Sequence, residues 1–68
     1  MADREEIEMH VRFLLDVRGA AHRTSHSELV QYLMNKTDLG RTAARHAVNE
    51  LIRNQKLARE GNLISLPN

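Results

Sequence analysis

Residues 25–67 read SHSELVQYLMNKTDLGRTAARHAVNELIRNQKLAREGNLISLP, and the fold class follows from this stretch. It opens on Ser25-His26-Ser27-Glu28, a Ser followed three residues later by Glu. Such a pair forms a capping box, in which each side chain satisfies a backbone N–H that a helix start leaves open. Leu29, Val30, Leu33 and Met34 then recur near the helical period and predict a helix over about 26–35. The polar break Asn35-Lys36-Thr37-Asp38-Leu39-Gly40 holds one apolar anchor, Leu39. Ala44, Ala47, Val48, Leu51 and Ile52 follow at i, i+3, i+4, i+7, i+8 and predict a helix over about 41–54. Arg41, Thr42, Arg45, His46, Asn49 and Arg53 stand on its other side. After Gln55 the pattern becomes strand-like: Leu57–Glu60 and Leu63–Leu66 flank Gly61-Asn62, which suits a two-residue turn. A hairpin over about 57–66 is expected, ended by Pro67.

Working outward toward the N-terminus, Asp3 and Glu6 repeat the capping-box spacing. Ile7, Val11, Phe13, Leu14, Leu15 and Val17 recur near the helical period, and Gly19 supplies a stop, so a helix is expected over about 4–18. Met9, Phe13 and Val17 lie off the Ile7–Val11–Leu14–Leu15 line. The link from Ala20 to Thr24 is too short for a helix, and Arg23-Thr24 suits a brief extended bridge.

Sixty-eight residues allow one small domain, expected to span 1–68. A chain this short buries only about 60% of the surface its unfolded form exposes. It holds no Cys, so packing alone must hold it. No apolar run reaches membrane-spanning length, and the acidic, polar start is unlike a secretory leader; a cytoplasmic location is expected. The net charge of +1 averages two unlike halves. Residues 1–21 carry three Arg against five Asp/Glu, and residues 22–68 seven Lys/Arg against four Asp/Glu. Within 39–59, Arg41, Arg45, Arg53, Lys56 and Arg59 face only Glu50, which suggests one face that meets an anion.

Three helices closed by a short hairpin, with a tight turn between the second and third, resemble the winged helix-turn-helix superfamily. The likeness rests on residues 25–67, about two-thirds of the chain. It implies a mainly α fold with a small β-hairpin. It also implies duplex DNA binding, with the 41–54 helix in the major groove. On that resemblance Arg45 and Asn49, one turn apart, with Thr42 and His46, are the expected base readers. Arg41 and Arg53, near the helix ends, are expected on phosphates. A small transcriptional regulator or the DNA-binding part of a replication or mobile-element protein would both fit. Two features depart from the pattern. The turn of the wing is only Gly61-Asn62, and Gly40 stands where Ser or Thr commonly caps the recognition helix.

Two further groups of donors could meet a DNA backbone. Ser25, His26 and Ser27 sit at a helix N-terminus, where the dipole favours an anion, although Ser25 is already accounted for as a cap. Lys56 and Arg59 could grip phosphates from the hairpin, and an edge strand also carries charge simply to discourage aggregation. The two rings, Phe13 and Tyr32, are expected in or beside the core. That favours duplex DNA over RNA, whose binders stack bases on exposed aromatics. His22 and His26 do not share a helical face, and without Cys or a matched carboxylate no metal site is expected. His10 and His22 are expected at the surface. There is no phosphate-binding Gly loop, nucleophile elbow or paired acid, so neither an enzyme nor a cofactor is expected. The alternative is a winged-helix protein-interaction module, favoured by the near-neutral total, the short wing and the acidic first helix. The off-line apolar residues of that helix suit a homodimer or a partner protein.

Overall fold

The computed structural model describes residues 3–19 and 23–67. The elements run α1 (Arg4–Arg18), β1 (Thr24–Ser25), α2 (His26–Lys36), α3 (Arg41–Arg53), β2 (Ala58–Glu60) and β3 (Leu63–Ser65). The strands form an antiparallel sheet in the order β1-β3-β2. The 20–22 link, with His22, lies outside the described residues. The bridge expected at Arg23-Thr24 sits one residue later, pairing Thr24 with Ile64 and Ser25 with Leu63.

The first two helices start where side chains can close the open N–H groups. Asp3 Oδ1 accepts the Glu6 N–H at 2.8 Å, while the Glu6 carboxylate lies 3.8 Å from His10 Nε2. At α2 the full box forms: Ser25 Oγ accepts the Glu28 N–H at 3.1 Å, and Glu28 Oε1 accepts the Ser25 N–H at 3.3 Å. Glu28 Oε2 also takes Arg18 Nη1 at 3.3 Å, and the same nitrogen donates to the buried Thr24 hydroxyl at 3.1 Å. Arg18 thus ties the end of α1 to β1 and to the first turn of α2. The Ser25 N–H, and after it the Arg18 guanidinium, hold the Glu28 carboxyl below its usual range against an opposing desolvation. The ionised form is therefore favoured by folding. Its contribution is full above the unfolded pKa of Glu28 and is lost as pH falls through that value toward the lower folded one. The stability gap between wild type and Glu28→Gln, read from urea midpoints, should shrink between about pH 7 and about pH 3.

The α2–α3 turn is built by Thr37. Its hydroxyl donates to Leu33 C=O at 2.6 Å and accepts the Leu39 N–H at 3.2 Å, which seats Leu39 half-buried against the core. Gly40 caps α3 without a side-chain bond, as its identity requires. At the far end Gln55 N–H donates to Ile52 C=O and Lys56 N–H to Leu51 C=O, a Schellman closure that puts Gln55 at φ +63°. Glycine is the usual residue there because a Cβ is strained in this region. Gln55→Gly is expected to raise stability by about 0.5–1 kcal/mol, the relieved strain exceeding the added chain entropy. A higher urea midpoint at unchanged slope would show it.

The core takes one row from each helix: Ile7, Val11 and Leu15 from α1, Leu29, Val30 and Leu33 from α2, and Ala44, Val48 and Leu51 from α3. Leu57 and Ile64 close it from the hairpin side. Ala44 is fully buried, and its small side chain lets α3 approach closely. Tyr32 is half-buried as expected, with the Lys36 ammonium 5.7 Å from its ring centre. Phe13 is a correction, because it is 64% exposed. At 100° per residue it stands well round the helix from the Ile7–Val11–Leu15 row, and hydrophobicity does not override that angle.

Candidate nucleic-acid interface

The N-terminus of α2, the exposed side of α3 and the hairpin turn meet at one corner. In the turn, Gly61 takes φ +62°, the left-handed conformation that a two-residue β-turn needs at its first central position. The register Glu60↔Leu63 confirms that the loop is Gly61-Asn62 alone. Asn62 C=O accepts the His26 N–H at 2.7 Å, so the turn is bonded to the first residue of α2. Arg59 Nε donates to Gly61 C=O at 2.7 Å, which holds the guanidinium beside the turn. From the other side, His26 Nε2 donates to Asn49 Oδ1 of α3 at 2.9 Å, which requires the imidazole proton on Nε2.

These bonds enclose an open depression of about 350 Å³ lined by Ser25, His26, Ser27, Arg45, Asn49, Arg59 and Asn62. The lining is almost wholly polar, with two guanidinium groups and an imidazole and no carboxylate. Of the nearby acids, Glu28 pairs with Arg18 at 3.3 Å and Glu50 with Arg4 at 3.1 Å, while Glu60, next to the turn, lines a different depression with Arg23 and Arg59. Fixed cations and N–H donors in a concave wall concentrate anions, and a phosphate oxygen matches both kinds of group.

The expected site residues divide into those gathered here and those set apart. Arg45, Asn49, Arg59, Ser25 and His26 line the depression. Thr42, His46 and Arg53 are exposed on α3, and helical geometry puts them with Asn49 on the line pointing most directly away from Ala44, Val48 and Leu51. Arg41 is exposed at the start of α3, and Lys56 is exposed between α3 and β2. These five lie outside the depression. Two donors of the first turn of α2 are already taken, His26 N–H by Asn62 and Glu28 N–H by Ser25, so that turn offers an anion less than its N-terminal position alone suggests. Asn49 is constrained as well. Reading adenine with a bidentate amide needs both Oδ1 and Nδ2, and Oδ1 is engaged by His26. While that bond holds, Asn49 offers only donors.

Ser27, expected beside Ser25 and His26 as a donor, lines the depression too, and Asn62 joins it without any signal in the sequence beyond its turn preference. Among the described residues no group of three or more His, Cys, Asp or Glu could hold a metal ion, and no helix is long and apolar enough to cross a membrane. No family model, no curated protein and no solved structure matches the chain.

Proposed function

We propose that the chain is a winged helix-turn-helix module that binds duplex DNA, with α3 in the major groove. The element order and the β1-β3-β2 sheet are those expected of such a module. The observation that carries the functional reading is the depression where Arg45, Arg59 and His26 converge with no carboxylate. One strand's backbone passes this corner. There Arg59 and the Ser25 hydroxyl take phosphate, His26 holds the corner together through its bonds to Asn62 and Asn49, and Asn49 donates to a base acceptor or a phosphate. Arg45 reaches from the rim to a guanine edge, the contact its planar fork suits best. Thr42 and His46 continue the base-facing side of α3, and Arg41, Arg53 and Lys56 hold flanking phosphates. With a two-residue turn the hairpin grips the backbone beside α3 rather than reaching into the minor groove.

Three to five phosphate contacts give a slope of log K on log salt of about −3 to −4.5. The affinity for a short mixed-sequence duplex, followed by fluorescence anisotropy, should fall about 40- to 500-fold between about 50 and 200 mM salt. Affinity indifferent to salt would contradict the reading. A protein-interaction role is the second reading, favoured by the exposed apolar row on α1, and it predicts no duplex affinity at either salt.

A further inference from the structure

Met9, Phe13 and Val17 are exposed by 60%, 64% and 67%, and among the described residues they are the exposed large apolar side chains. Four residues apart on α1, they form one ridge about 12 Å long. The inner row of Ile7, Val11 and Leu15 already fills the core, so the fold does not need this outer one. An open depression of about 660 Å³ runs beside the ridge, where Met9, Phe13 and Leu66 supply apolar surface and Glu5, Glu8, Arg12 and Asp16 the charge. Single exposed apolar side chains are ordinary, whereas a continuous row with a ring at its centre marks a contact surface. The charges beside it are unbalanced. Three carboxylates stand against one guanidinium, and Arg12 Nη1 lies 3.6 Å from Glu8 Oε2. Glu5 and Asp16 have no ion pair among the described residues. Both fall on this one flank of the ridge, about 16 Å apart along the helix axis. On the other flank the Glu6 carboxylate lies 3.8 Å from His10, so no unpaired cation faces the ridge from that side either.

We propose that this face docks an amphipathic helix of a partner protein, one whose apolar stripe is bordered by Lys or Arg. The backbone groups of α1 are bonded within the helix, so the face offers no edge to an added strand. A ridge of four-residue spacing meshes instead with the grooves of a second helix. Covering Met9, Phe13 and Val17 brings the flank of that helix to Glu5 and Asp16, where a cation is attracted and a carboxylate repelled. Other occupants fit worse. A second copy turned antiparallel sets this acidic flank against itself. The basic side of α3 in a second copy, with Arg41, Arg45 and Arg53, has no exposed large apolar side chain to cover the ridge. DNA and an anionic lipid surface are repelled by the same carboxylates. The contact is one short helix face, well below the roughly 800 Å² per partner of a stable complex, so binding is weak, in the range of about 10–500 µM. No residue of this face lines the corner of Arg45, Arg59 and His26, so the docking does not rest on DNA binding.

An amide-resolved NMR titration tests it, with a synthetic helix of about 14 residues, Leu at spacings of three and four and Lys elsewhere, taken to about 1 mM. Shifts should gather on residues 5–17 and on Leu66 and should saturate. The same peptide with Glu in place of Lys should bind at least about fivefold more weakly, and one with Ala in place of Leu at least about tenfold. Phe13→Ser should weaken the Leu/Lys peptide at least about tenfold. Asp16→Lys should weaken it about fivefold or more, whereas Glu60→Lys, the same change of charge on the hairpin, should stay within about twofold of wild type. The three positions changed are exposed, and far-UV circular dichroism confirms that each variant is folded. A Leu/Lys peptide that does not bind, or whose shifts centre away from α1, overturns the proposal. So does a Glu peptide bound as tightly as the Lys one, a Phe13→Ser protein that binds like wild type, or an equal effect of Asp16→Lys and Glu60→Lys. Sedimentation velocity that shows the free wild type dimerising through Phe13 below about 500 µM overturns it as well, by giving the face to a second copy.

Discussion

Leu33→Ala should leave the chain largely unfolded at room temperature. Leu33 is fully buried in α2, the element that packs against α1, α3 and β1. Its truncation removes transfer free energy and opens a cavity in a core with few residues to spare, for a loss of about 2–5 kcal/mol. A chain of this size rarely holds more than about 3–5 kcal/mol in all. Far-UV circular dichroism should show most of the helix signal lost, with no cooperative urea transition. Met34→Ala, at a half-buried position of the same helix, should keep a cooperative transition at a lower midpoint. A Leu33→Ala protein within about 1 kcal/mol of wild type would mean that α2 is not the centre of the core.

The second large effect is expected on DNA. Arg45 and Arg59 are both exposed, so neither replacement should cost much folding stability. Arg45→Ala should weaken the preferred duplex by about 1–3 kcal/mol and relax the preference at one base position. Arg45→Lys should not restore it, because an ammonium lacks the planar pair of donors. Arg59→Ala should weaken all duplexes alike and reduce the salt slope by about one. The two together should cost more than tenfold in affinity. Binding assays across a small panel of duplexes separate the two patterns. Equal affinity of Arg45→Ala and wild type for every duplex would remove Arg45 from the base-reading role.

Where interactions are local, the sequence was sufficient. Ser25 with Glu28 marks the start of α2, Ala44, Val48 and Leu51 mark the inner row of α3, and Gly61-Asn62 marks the turn, each within a few residues of its own consequence. The two-residue strand Thr24–Ser25 is different. It exists because Ile64 and Leu63 arrive beside it from about forty residues away, and nothing local announces that pairing. Arg18 was equally silent, since its partners Thr24 and Glu28 lie across the 20–22 link. The turn after α3 defeats the usual cue: Asn54 stands one position before the left-handed residue, and Gln55 occupies it. Phe13 shows the opposite error, a residue type taken as evidence of burial when its angle on the helix places it outside.

The candidate site follows the same division. The polar side of α3 can be read from helical spacing alone, and all six of its expected residues are exposed. That Arg45 and Asn49 belong to one concavity with Arg59 and His26 cannot be read so. It depends on the His26–Asn62 and His26–Asn49 hydrogen bonds, which join segments distant in the chain. The second of these also changes the chemistry, by taking the Asn49 acceptor that adenine recognition would use.

The central claim is that α3, with the corner it shares with α2 and the hairpin, is the DNA-contacting surface. An amide-resolved NMR titration with a short mixed-sequence duplex, at low and then near-physiological salt, tests it most directly. Shifts should concentrate on residues 41–53, 25–28 and 59–62 and fade as salt rises, while the outer face of α1 stays unchanged. A folded protein whose α3 amides do not move, or whose shifts gather on α1 instead, would contradict it.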